Sequence, residues 1–161
     1  MIMIELNEKL ISIVNNVLDE LYNNEQYLFD NNLSERDMVF HFGWYFRRKV
    51  ESMQEFDGYS VEVDWNKDEA DIKMLEIDGE KRRIFPDFIL HKRGNNDNNL
   101  LAIEFKKNKF IDKKDFYKLE KLTDSNYLYR YKLGLFIKFA IRRDLVRVTY
   151  FVDGKLVDIN S

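Results

Sequence analysis

The segment from Ile84 to Lys107, IFPDFILHKRGNNDNNLLAIEFKK, constrains this chain more than any other. Two apolar runs, Arg83 to His91 and Leu100 to Lys106, flank the Gly- and Asn-rich stretch Gly94 to Asn99. Such a stretch between strand-like runs predicts an antiparallel hairpin. Asp87 lies seven residues before Gly94 and Glu104 five after Asn99, so they sit at similar depth on neighbouring strands. Glu104 and Lys106 are two apart and share one face, while Ile103 and Phe105 share the other. Charged groups among Phe85, Phe88, Ile103 and Phe105 lose hydration, and adjacent carboxylates repel. A divalent cation removes that conflict. Mg²⁺ prefers one or two carboxylates, waters and phosphate oxygens to an all-protein cage. A neighbouring lysine can then orient or help deprotonate an attacking water and offset developing charge.

The rest of the chain supplies helices and further strands. Leu6 to Phe29 carries apolar residues at helical spacing and ends at Asp30, Asn31 and Asn32. Ser34, with Asp37 three residues on, reads as the cap of a second helix. That helix reaches about Gln54, with Met38, Phe42, Tyr45, Phe46 and Val50 on its apolar face and Gly43 inside it. After Asp57-Gly58 the period changes to two, and Tyr59 to Trp65 reads as a strand. Asp112 to Thr123 returns to helical spacing, and Leu133 to Ala140 is an apolar strand. Val146 to Val152 and Lys155 to Ile159 form a hairpin across Asp153-Gly154. With no repeat or linker, the 161 residues read as one α/β domain.

Composition narrows the function classes. The chain has two histidines and no cysteine, which leaves no disulfide framework and no structural zinc site. No Walker A loop, dinucleotide fingerprint or G-x-S-x-G elbow is present. No apolar run approaches bilayer length, and MIMIELNEKL does not read as a signal peptide. The expected compartment is the cytoplasm, with no membrane partner. Charge is unevenly spread. Lys81 to Lys121 holds 12 Lys and Arg against 6 Asp and Glu, a balance of +6 within a chain of net −3, leaving −9 elsewhere. A basic segment in an acidic chain suits a localised polyanion site, though Lys-rich segments are also ordinary solvated faces. Lys107, Lys109, Lys113 and Lys114 follow the Glu104 strand and enter the next helix, where they could contact backbone phosphates.

Pro86-Asp87 on one strand and Glu104-Phe105-Lys106 on the next resemble the PD and (D/E)XK signatures of the PD-(D/E)XK nuclease superfamily. The order of elements resembles that family's αβββαβ core over residues 34–140, with a helical extension at 1–33 and a hairpin at 141–161. The resemblance implies a restriction-endonuclease-like fold. It implies a Mg²⁺-dependent enzyme, with Mn²⁺ a possible substitute, that hydrolyses DNA phosphodiesters through a metal-activated water. Asp87 and Glu104 would hold the metal and Lys106 would assist the nucleophile. By the same analogy the Phe105 main-chain carbonyl is a further ligand. Glu35 is the candidate for the acid that many members place on the helix before the sheet. An acid in a first helical turn also simply favours the helix dipole. Glu62 and Asp64 are substitutes for it.

Other residues carry bland readings beside functional ones. His41 is a packing or surface residue before it is a site residue. His91, Lys92 and Arg93 close a strand at the loop end, gripping a phosphate or merely solvating a turn. Trp44 and Trp65 read as core. The alternative to the enzyme is a catalytically silent nuclease-fold module binding nucleic acid or a protein partner. A third class is a structural subunit whose carboxylates only form salt bridges. The chain shows no separate sequence-reading domain, so homodimerisation or a specificity partner could supply DNA selectivity.

Overall fold

Leu10, Ile13, Val14, Val17, Leu18 and Leu21 recur at helical spacing and are all buried. They form the inner stripe of α1 (Ile2–Asn24). In the computed structural model, which describes residues 2–65, 67–68, 71–107 and 113–158, this helix stops at Glu25. A separate short helix, α2 (Gln26–Asp30), follows, so Leu6 to Phe29 is not one continuous helix. Helix α3 (Glu35–Glu51) begins with the expected capping box between Ser34 and Asp37. Its buried stripe is Met38, Val39, Phe42, Gly43, Phe46 and Val50. Trp44 falls off that stripe and is 55% exposed, which corrects its assignment to the core. Trp65 is half-buried, its ring edge-on to His91 and beneath the Arg93 guanidinium.

Strand β1 (Ser60–Val63) leads into two small ribbons, β2 (Lys67–Asp68) with β3 (Asp71–Ile72), and β4 (Met74–Ile77) with β5 (Glu80–Arg83). The β4–β5 ribbon turns at Asp78-Gly79, both at positive φ. Two successive positive-φ residues make the tight hairpin turn that Asp-Gly favours. Arg83 therefore ends a ribbon and does not begin the strand that carries His91. That strand, β6, spans only Phe88–His91, because Pro86 has no N–H to offer a ladder.

β7 (Asn99–Lys106) pairs antiparallel with β6, as the hairpin pattern predicts, with Phe88 opposite Ile103. α4 (Lys113–Thr123) then crosses to β8 (Leu133–Lys138), which lies parallel to β7. β9 (Arg147–Val152) and β10 (Lys155–Val157) extend the sheet antiparallel across Asp153-Gly154, giving the order β1-β6-β7-β8-β9-β10. The protein is thus α/β, with a mixed six-stranded sheet between two helical layers.

One core lies between the sheet and α1 and α3, and includes Leu101, Ile103 and Phe105. A second, under α4, includes Ala102, Leu119, Leu122 and Phe136, together with Leu75 of the β4–β5 ribbon. Ala102 stands beside Gly134 in the sheet. Here α4 comes in close: a Cβ on Gly134 would meet Thr123 Cγ2 at 2.8 Å. Among the described residues no helix is long and apolar enough to cross a membrane.

Candidate active site

β6 begins at Phe88 and β7 runs on to Lys106, so the last residues of β7 overhang their partner. Along that vacated edge the main-chain groups of β7 need other partners. Asp87 supplies one: its Oδ2 accepts the Phe105 N–H at 2.8 Å. Glu35 supplies the next, its Oε2 accepting the Lys107 N–H at 2.8 Å. In a strand the N–H and C=O of one residue point to the same side. The Phe105 carbonyl therefore faces the edge along which Asp87 and Glu35 are anchored, while its ring packs on Phe42 and Phe139 in the core.

Glu104 reaches the same corner from the α4 face and is 2% exposed. Its Oε2 lies 3.0 Å from Lys118 Nζ. Lys118 Nζ is also 3.6 Å from Asp115 Oδ1, and Lys106 Nζ is 3.3 Å from Asp115 Oδ2. The charges thus run Glu104, Lys118, Asp115, Lys106 beneath α4. The hairpin pattern places Lys106 on the correct face, but the ammonium that meets Glu104 belongs to Lys118. Asp115 and Lys118 carry no motif that singles them out in the sequence. Their signal is a charged pair on the helix stripe that also carries Leu119 and Leu122.

The electrostatics of this corner are strained. Burial drives the Glu104 carboxyl well above the usual glutamate range, and Asp87 and Asp115 add to the effect against Lys118. Burial also raises Asp87, opposed by the Phe105 N–H and by Lys118. For Lys118, burial acts downward, but Glu104, Asp115 and Asp87 outweigh it and its pKa rises. Asp87 and Glu104 lie within hydrogen-bonding reach of each other. When both are ionised they bring no donor between them, whereas a proton held on Glu104 bridges them; from the other described residues Glu104 Oε1, which is buried, receives no hydrogen bond.

A buried, unpartnered carboxylate oxygen beside a second carboxylate and a main-chain carbonyl is a donor set suited to a hard divalent cation. Among the described residues no three His, Asp or Glu side chains close into a ready-made cage. Mg²⁺ does not require one, since it keeps several waters.

The remaining candidates separate by position. Lys107 is engaged within the protein, its ammonium bonded to the Leu33 carbonyl. Lys113 and Lys114 are exposed at the start of α4. They border a cleft of about 380 Å³ shared with Ile77, Asp78 and Tyr117. Lys109 lies outside the described residues. Glu62 pairs with Arg93. The Asp64 N–H donates to the Asp87 carbonyl at 3.2 Å. His41 faces Glu25 at 3.5 Å. His91 is buried, and burial, Lys73 and Arg93 together lower its pKa to about 4, so it is neutral near pH 7. Lys92 lies over the Tyr59 ring.

Compared with protein-family models, with curated proteins and with solved structures, the chain matches none.

Proposed function

We propose that this protein is a divalent-cation-dependent nuclease of PD-(D/E)XK type, acting on DNA. The observation that carries the reading is Glu104 Oε1: a buried carboxylate oxygen beside Asp87 to which, among the described residues, no other group donates. The topology supports the reading, because α3, β1, β6, β7, α4 and β8 come in the chain order of a restriction-endonuclease-like core, with the β2–β3 and β4–β5 ribbons inserted between β1 and β6. Asp87, Glu104 and the Phe105 carbonyl would hold Mg²⁺ or Mn²⁺, with Glu35 next along the edge. A cation held there supplies Lewis-acid activation of water and of the scissile phosphate.

The chain's own groups have separable tasks. Asp87 is fixed by the Phe105 N–H, so its free oxygen keeps one direction. Glu104 is fixed by Lys118. Lys106, with a quarter of its side chain exposed, is the ammonium that can turn from Asp115 toward an approaching phosphate. Lys113 and Lys114 place positive charge at a helix N-terminus, where cations are unfavourable and phosphates favourable. DNA backbone lying along this rim would relieve that mismatch.

One observation favours the structural reading instead. The 3.0 Å Lys118–Glu104 contact already gives Glu104 a partner for one oxygen. Plasmid nicking decides between them. Wild type should cleave with Mg²⁺ or Mn²⁺ and not in EDTA. Glu104→Gln should lose about 10²-fold or more of that rate, as expected for an electrostatic group at a reacting centre. No cleavage by wild type with either metal, or equal cleavage by the variant, refutes the enzyme.

A further inference from the structure

Lys118 is an unusual component of this corner. It is a largely buried ammonium held between two carboxylates, 3.0 Å from Glu104 and 3.6 Å from Asp115. A lysine so placed draws on both partners to offset its desolvation. Asp115 is itself shared with Lys106 at 3.3 Å. The ammonium therefore has two stations, and the Glu104 station, on Oε2, adjoins the Oε1 suited to a cation. Two hard cations cannot both lie against one Glu104 carboxylate and Asp87 without strong mutual repulsion.

We propose that Lys118 is the resident counter-cation of the Asp87–Glu104 pair, holding Glu104 in place and competing directly with a divalent cation for it. The proposal rests on the cation site described above and adds a residue outside the Asp, Glu and Lys signature. In it Lys118 gives up Glu104 and pairs fully with Asp115 when the site is loaded. Lys106 then shares Asp115 with a closer rival. Lys118 is a positioning residue that acts through Glu104 and Asp115.

The test is a Mn²⁺ titration of the full chain by calorimetry, at pH 8.5 so that protons compete least for the carboxylates. Lys118→Met should bind Mn²⁺ roughly 10- to 100-fold more tightly than wild type, the worth of one charge-assisted hydrogen bond no longer surrendered on binding. It should also melt at a lower temperature in EDTA. Lys118→Arg, which keeps the charge, should bind within a few-fold of wild type. Should Lys118→Met be too unstable to titrate, Lys118→Gln keeps a donor for Glu104 without the charge and should also tighten binding. A purely structural lysine predicts weaker or unchanged Mn²⁺ binding in the neutral variants, and that result overturns the competition while leaving the cation site standing. Absence of Mn²⁺ binding by wild type overturns both.

Discussion

In EDTA at pH 8, Asp87→Asn should melt at a higher temperature than wild type. The substitution keeps the acceptor that holds the Phe105 N–H, since Asn Oδ1 replaces the Asp oxygen bonded there at 2.8 Å. It removes one of two facing charges and presents an N–H₂ to Glu104, whose Oε1 has no donor among the described residues. Two unit charges roughly 4 Å apart repel by about 4 kcal/mol at an effective dielectric of about 20. Lys118, 3.0 Å from Glu104, cancels much of this in wild type. The net gain should then be about 1–2 kcal/mol, or roughly 2–8 °C in Tm for a chain of this size. The pH dependence fixes the cause. Both carboxyls have folded-state pKa values raised above their ordinary ones, chiefly by burial. A raised carboxyl contributes stability that is whole below its unfolded pKa and is lost as pH climbs through its folded pKa. Wild type in EDTA should therefore weaken as pH rises from the ordinary glutamate value of 4.5 through the elevated range of Glu104. Asp87→Asn, with one such group fewer, should weaken less. Thermal melts followed by circular dichroism at pH 5 and pH 8 measure both effects. A lower Tm for Asp87→Asn at pH 8, or a difference that does not grow from pH 5 to pH 8, would refute the reasoning and make Asp87 a stabilising partner.

Lys106→Ala should keep the fold, because Asp115 retains Lys118, and should lose roughly 10²- to 10⁴-fold in cleavage rate. Matched nicking assays check it. Replacing Lys113 and Lys114 together by alanine should weaken duplex DNA binding for all sequences alike. Its log–log salt dependence should flatten by about 0.9 for each phosphate that the protein no longer neutralises, read by fluorescence anisotropy. Gly134→Ala should destabilise by about 1–3 kcal/mol in urea melts, because its methyl meets Thr123 Cγ2 at 2.8 Å.

Periodicity and turn chemistry make much of this architecture legible. Ser34 with Asp37 marks the start of α3, Gly94 to Asn99 marks the β6–β7 turn, and Asp153-Gly154 marks the final hairpin. Asp78-Gly79 is a turn signal of the same kind. It is masked by the apolar run that begins at Arg83, which looks continuous with Phe88 although Pro86 divides it. Trp44 shows a different limit, because its hydrophobicity suggests the core while its angular position on α3 puts it in solvent. Within the site, strand alternation alone brings Asp87 and Glu104 together. It places Lys106 on the correct face but cannot say which carboxylate the ammonium meets. That depends on how closely α4 packs, which Ala102 and Gly134 decide from two strands. Lys118 enters the site through that packing and through no motif.

The most direct test is the position of a bound ion. Crystals soaked in Mn²⁺ should show one strong anomalous difference peak bounded by the Asp87 and Glu104 carboxylates and the Phe105 carbonyl. Crystals of Glu104→Gln under the same soak should show none. A wild-type map with no anomalous peak at that corner, or with Lys118 still seated on Glu104 and the ion bound elsewhere, would contradict the account.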